Sequence, residues 1–355
     1  MNLREFFTPR VIAANYEETA QNRIPYFGEG LFPAVKKMGL DLSWIKGYGG
    51  LPVSLAPSAF DAKATFREIG EIAKFETEMP FFREAFHISE KDRQELLRAR
   101  DANDPYAEAI LNRTFDFTRN LIMGAHVVPE RMRMSLLFPE SGNMTISIKA
   151  NGVAYEYDYD PNDEWKTNNY SALTSTALWS APTTADPIKD FEDMKNKAAD
   201  VAGAEIRYAL MSSTTFNLLK ATSAVNNSII STSGVTQTYV TGNRAADVIE
   251  SETGIRPIVY TKKYKNESGT TKSFVPDGYV TFIPEGALGK TWYGTTPEEA
   301  DLVSGANVEV SVVDTGIAIT RSTGVDPVVT NIYASEIVLP SYERMNEVVT
   351  LKVTA

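Results

Sequence analysis

The chain has 355 residues, 43% hydrophobic and 10% aromatic, with no cysteine, two histidines and a formal net charge of −11. That composition suits a folded protein with one elaborated core or two modest ones, and it excludes disulfides, thiolate metal sites and a cysteine nucleophile. The acidity is C-terminal: residues 1–140 hold 18 Lys+Arg against 20 Asp+Glu and residues 141–355 hold 17 against 26, and no segment supplies the basic run that a tight grip on nucleic acid requires.

Residues 1–60 are punctuated by Pro9, Pro25, Pro33, Pro52 and Pro57 with glycines between them, which leaves no room for a long element. Phe6, Phe7, Phe27, Phe32, Trp44 and Leu51 make the stretch too apolar for a linker. It is expected to lie extended across a surface of its own domain or of a neighbour. The first residues, "MNLREFFTPRVIAANYEE", are too charged for a signal peptide, and no apolar run reaches the ~18 residues of a membrane helix, so the chain is expected in the cytoplasm with no membrane partner. Residues 61–88 mix strand formers with Arg67, Glu68, Glu71, Lys74, Glu76, Glu78, Arg83 and Glu84, the pattern of a charged hairpin.

Asp104 and Pro105 read as N-cap and first turn of a long helix. Ala107, Ile110, Leu111, Leu121, Ile122 and Ala125 form its apolar face; Asn112, Arg113, Asp116, Arg119 and Asn120 take the other. Pro129 is expected to kink or restart it. After Gly142 the period changes to two around Asn151-Gly152, which predicts strands over 144–150 and 153–159. Asp186-Pro187 opens a helix that ends near Gly203, and "EIRYALMSSTTFNLLKA" reads as a strand passing into a Ser-capped helix. Short strands are expected beyond it, up to a terminal strand in "NEVVTLKVTA". The class is α+β with an extended N-terminal arm.

Four stretches invite a chemical reading. Gly289-Lys290-Thr291 ends like a phosphate-binding loop, but the position that needs the first glycine is Pro284, which has no N–H to offer a phosphate. "DYDPNDE" starts like a calcium loop at Asp158, Asp160 and Asn162, yet Asp163 and Asn169 stand where that loop needs Gly and Glu. His87 and His126 are distant and sit among apolar neighbours, too little for a zinc site or a Ser-His triad. No spacing of carboxylates singles out an acid–base pair. The reading assigns no catalytic residue, no cofactor and no metal; a hydrolase built on Asp158 or Asp160 is the rival from a different class.

Several motifs in one order carry a resemblance: the long helix, "VPERMRMSLL" (128–137), the Asn-Gly hairpin, "WSAPTTADPIKD" (179–190), "PDGYVTFIPEGALGKTWYGTTPEEADL" (276–302) and "LPSYERMNEVVTLKV" (339–353). From about residue 24 to the end the chain resembles the lambda-type major capsid protein E family of tailed bacteriophages. The resemblance implies the Hong Kong ninety-seven capsid fold, with an N-arm (1–60), an E-loop (61–88), a P-domain (89–200, spine helix about 105–139, hairpin 144–159), an A-domain (201–314) and a return to the P-domain (315–355). It implies a structural subunit that assembles as hexamers and pentamers into an icosahedral shell around double-stranded DNA bound without sequence specificity. Its other partners would be a separate scaffolding protein, a portal and a decoration protein. The E-loop charges Arg67 to Glu84 become candidates for intersubunit contact. Nothing identifies a covalent Lys–Asn crosslink, so non-covalent stabilisation is expected. An encapsulin-type compartment is the rival within the same fold.

Overall fold

The computed structural model describes residues 8–20, 25–45, 74–88, 91, 94, 105–150, 152–233, 240–300, 308–323 and 329–355. In chain order its elements are α1 (Pro9–Ala20), α2 (Phe27–Leu31), β1 (Ala34–Lys36), β2 (Asp41–Ile45), β3 (Lys74–Glu78), β4 (Phe81–Ile88) and the long α3 (Pro105–Leu137). The hairpin β5 (Thr145–Ala150) and β6 (Val153–Asp158) follows, then α4 (Glu164–Asn169), β7 (Tyr170–Ala172), α5 (Pro187–Ala202), β8 (Ile206–Met211), α6 (Ser213–Ala221), α7 (Ser223–Ser233), α8 (Gly242–Thr253) and β9 (Arg256–Val259). The remainder holds β10 (Lys263–Lys265), β11 (Thr271–Ser273), β12 (Tyr279–Pro284), β13 (Lys290–Tyr293), the one-turn α9 (Pro297–Ala300), β14 (Val308–Val313), β15 (Ile317–Thr323), β16 (Thr330–Ser341) and β17 (Val349–Lys352). They divide into two units: residues 1–43, 76–132 and 289–341, and residues 44–75, 133–288 and 342–355.

The first unit is built on β16. One edge of this long strand pairs with β15 and β13, its other edge carries β4 from Ile88 at Thr330 to Phe81 at Ile337, and β1 joins in parallel beyond β13. The sheet's core side holds Ile88, Val313, Ile317, Ile319, Ile332 and Ala334, packed with Ile12, Ala13 and Tyr16 of α1 and Ile122 of α3. Two expectations are overturned here. Residues 9–20 form a 12-residue helix despite Pro9, because proline is tolerated in a first turn and Ile12, Ala13 and Tyr16 share one buried face. The two described strands of the charged segment do not pair with each other: β3 pairs with β2 and β4 with β16.

Helix α3 also runs through Pro129 unbroken. Proline in a helix interior removes one N–H bond and costs about 3 kcal/mol. Burial of Met132, Met134, Leu136 and Leu137 just beyond it offsets that cost. Within the first unit the buried row Thr118, Ile122, His126 and Glu130 follows an i, i+4 spacing and includes three polar residues. Gly28 N donates to Glu130 Oε1 at 3.2 Å, and His126 Nε2 lies 2.9 Å from Asp314 Oδ2 with its ring stacked on Tyr16.

The second unit is a five-stranded sheet in the order β7-β17-β12-β8-β9, with β12 antiparallel to both its neighbours. Phe282 of β12 is fully buried, meets Phe191 of α5 edge-on at 4.9 Å, and Phe191 stacks on Trp179. The capping signals fold as read. Asp186 accepts from Lys189 N, Gly203 ends α5 with φ 65°, Ser212 accepts from Thr215 N to start α6, and Gly152 turns the β5–β6 hairpin with φ 81°. Beyond residue 221 the structure departs from the expected run of short strands: α7 and α8 intervene, and Ala245, Ile249 and Thr253 of α8 face the core at i, i+4 spacing.

Asp190 sits inside this unit under the Trp179 indole, which donates to Oδ2 at 2.8 Å. Burial pushes its carboxyl up from 3.8 to about 6, the indole hydrogen bond opposes that rise, and the Asp186 and Asp193 charges add to it. A raised carboxylate binds its proton more readily in the folded than in the unfolded chain, so this group's favourable contribution is complete below pH 3.8 and is lost as pH rises through about 6. Asp190→Asn keeps an acceptor for the indole and removes the charge. It should therefore raise the denaturant midpoint at pH 7 and flatten the change between pH 7 and pH 4; an unchanged pH profile would refute the assignment.

Candidate functional site

The stretches that invited a chemical reading are used up by the fold. Gly289 N donates to Leu31 O at 3.3 Å and Thr291 N to Pro33 O at 2.9 Å, while Lys290 Nζ lies 5.6 Å from the centre of the Trp292 ring. Backbone N–H groups spent on strand pairing are not offered to a phosphate. Asp158 Oδ1 accepts from Asp160 N, and the buried Asp160 accepts from Lys166 N through Oδ2. The acidic turn thus sets up α4, whose Trp165 indole donates to Met345 O and Val348 O and whose Asn169 donates to Asn346 O and Val348 O. It anchors the C-terminal strand. Among the described residues no three His, Asp or Glu side chains come together as a metal site. No described helix is long and apolar enough to cross a membrane.

Of the eight contact candidates, Arg67, Glu68 and Glu71 lie outside the described residues. Lys74 is placed at the start of β3, Glu76 and Glu78 are exposed on the same strand, and Glu84 is exposed on β4 opposite Ala334. Arg83 is held within the chain. Its Nε lies 3.0 Å from Oε1 of the buried Glu298 in α9, and its guanidinium stands 4.7 Å from the Tyr333 ring centre. Lys36 makes a similar ion pair with Glu299. Sequence reading missed this anchor because a glutamate in "TPEEA" looks like a solvated first-turn acid; only tertiary packing buries Glu298.

The described chain is a sheet assembled from segments far apart in sequence, a long helix, a second sheet unit, and the charged strands β3 and β4. Two solved structures share this arrangement. The putative capsid protein of a prophage from E. coli CFT073 matches with a TM-score of 0.56 at 15% identity, covering 98% of this chain and 99% of that one. A phage-related protein from Bordetella bronchiseptica RB50 matches with a TM-score of 0.52 at 11% identity, covering 97% and 96%. At such identities the likeness defines the class of fold, that of phage capsid subunits. The family described as phage major capsid protein E matches residues 11–353, and the chain belongs to it. No curated protein matches the chain significantly. The holo-SrpI encapsulin complex from Synechococcus elongatus PCC 7942 matches with a TM-score of 0.42 at 10% identity, covering 94% of this chain and 89% of that one.

Proposed function

We propose that this phage major capsid protein works by packing and not by catalysis, as the repeated subunit of hexamers and pentamers in an icosahedral shell that encloses double-stranded DNA. The family match carries the reading, since residues 11–353 take in both units. Residues 1–60 would act as the N-arm, 61–88 as the E-loop, 89–200 with 315–355 as the P-domain and 201–314 as the A-domain. The exposed Glu76, Glu78 and Glu84, with Arg67, Glu68, Glu71 and Lys74, would meet groups of opposite charge on a neighbouring subunit, each exposed pair contributing only ~0.2–1 kcal/mol but repeated through the shell. Assembly would take place in the host cytoplasm with a separate scaffolding protein, a portal and a decoration protein, and the finished shell would be part of the virion, held without covalent crosslinks.

Imaging of particles from cells that also express the phage's head proteins tests this. Closed shells with five- and six-fold capsomers, a portal at one vertex and packaged DNA are the expected result. Shells filled with a cargo enzyme and lacking a portal would favour the encapsulin-type compartment instead.

A further inference from the structure

Helix α3 turns Thr118, Ile122, His126 and Glu130 into the first unit, and the opposite side of the same stretch is open. Asp116, Asn120, Met123 and Gly124 are exposed there, and Val127 and Arg131 are half-exposed. At ~100° per residue these six positions fall within one stripe about 100° wide and about 22 Å long. Gly124 is the unexplained member. It stands in the interior of a 33-residue helix, where only proline is a poorer helix former. Yet a methyl group added to it would meet no atom of the rest of the described chain within 4 Å, so nothing in the described subunit asks for a glycine. Beside it Met123 is 44% exposed.

The stripe is complementary to itself. Turned end for end about a point midway between residues 123 and 124, it sets Asp116 opposite Arg131, Asn120 opposite Val127 and Met123 opposite Gly124 of a second stripe. An acid then meets a base at both ends. At the centre each exposed methionine meets the glycine of the other helix, where the missing side chain allows the axes to approach most closely. Asp116 accepts from Arg119 of its own helix through Oδ1 at 2.6 Å, which leaves Oδ2 for a donor from outside. A parallel pairing would instead set like on like, Asp116 on Asp116 and Met123 on Met123.

Resting on the shell reading above, we propose that the Asp116–Arg131 stripe of α3 makes a two-fold contact with the α3 of a second copy, the two helices antiparallel and closest at Gly124. Such a contact is isologous, the same patch serving on both subunits. Rings of five and six still have to be joined to one another, and a contact across a two-fold axis joins a subunit of one capsomer to a subunit of the next. The exposed charge pairs at its ends add little strength; they set the direction of pairing.

The test uses the full chain in two variants, each expressed beside the parent. Gly124→Leu puts a better helix former at an open position, so the melting temperature of the subunit should match or exceed the parent's, while the yield of closed shells falls about tenfold or more because the new side chain holds the helices apart. Met123→Cys gives a chain without cysteine a single thiol next to the axis, so oxidation of assembled shells should link it to the same residue of a second copy, and unassembled subunits should stay unlinked. Parental shell yield from Gly124→Leu would overturn the proposal, and so would a lowered melting temperature, which would place the reason for the glycine inside the subunit. Shells of Met123→Cys that give no linked dimer would overturn it as well, even where Gly124→Leu fails to assemble, because a protein other than this chain would then cover the stripe. If the parent itself forms no shells, the function above fails, and this contact with it.

Discussion

Phe282→Ala should destabilise the subunit by about 3–5 kcal/mol, the largest single-residue effect expected in the second unit. The side chain is fully buried on the central strand of the sheet, and Phe191 and Trp179 continue the aromatic stack away from it. Their backbones belong to α5 and the loop before it, so the site cannot collapse without moving a helix. Against a total stability of about 5–15 kcal/mol the loss is a large fraction, and soluble yield should fall with it. A denaturant titration reads the effect as a lower midpoint at constant slope. A change under about 1 kcal/mol would mean that this aromatic stack is not the unit's core.

Replacing residues 61–73 by a Gly-Ser linker of equal length should give the opposite separation of effects. The boundary is set by the structure. β4 is paired with β16 over eight residue positions and Ile88 is in the core, so a linker extending to residue 86 would strip a strand from the first unit and confuse misfolding with lost assembly. The shorter replacement touches none of that sheet. It should leave the melting temperature within a few degrees of the parent, while closed shells disappear as the proposed intersubunit role of 61–73 requires. Normal shells from this variant would refute the E-loop assignment, and a misfolded subunit would show that 61–73 belongs to the subunit's own fold.

What could be read from the sequence followed from local chemistry. Asp186-Pro187 with Gly203, Ser212 before α6 and the hairpin glycine Gly152 each fix a backbone conformation through a few neighbouring atoms, and each folds as read. The long helix was legible from its period, but not its buried polar row: Thr118, His126 and Glu130 are buried because Asp314 and the backbone of Gly28 come from distant parts of the chain to meet two of them. Helix α1 was hidden by a density of prolines that in fact falls outside residues 10–20. Helix α8 carried a usable signal, Ala245 and Ile249 four apart with Gly254 behind them. The candidate site was least legible. Charge alternation marked residues 61–88 as a surface, but it could not distinguish Arg83, tied to its own subunit's buried Glu298, from Glu84, which is exposed on the same strand.

The most direct test of the central claim is the sedimentation of the purified chain, expressed alone and together with the phage's other head proteins, followed by electron microscopy of the fastest-sedimenting fraction. A homogeneous, fast-sedimenting species made of this chain, seen as closed shells of one diameter, is the expected result. A chain that stays monomeric under both conditions and at every concentration, while correctly folded by its melting transition, would contradict it.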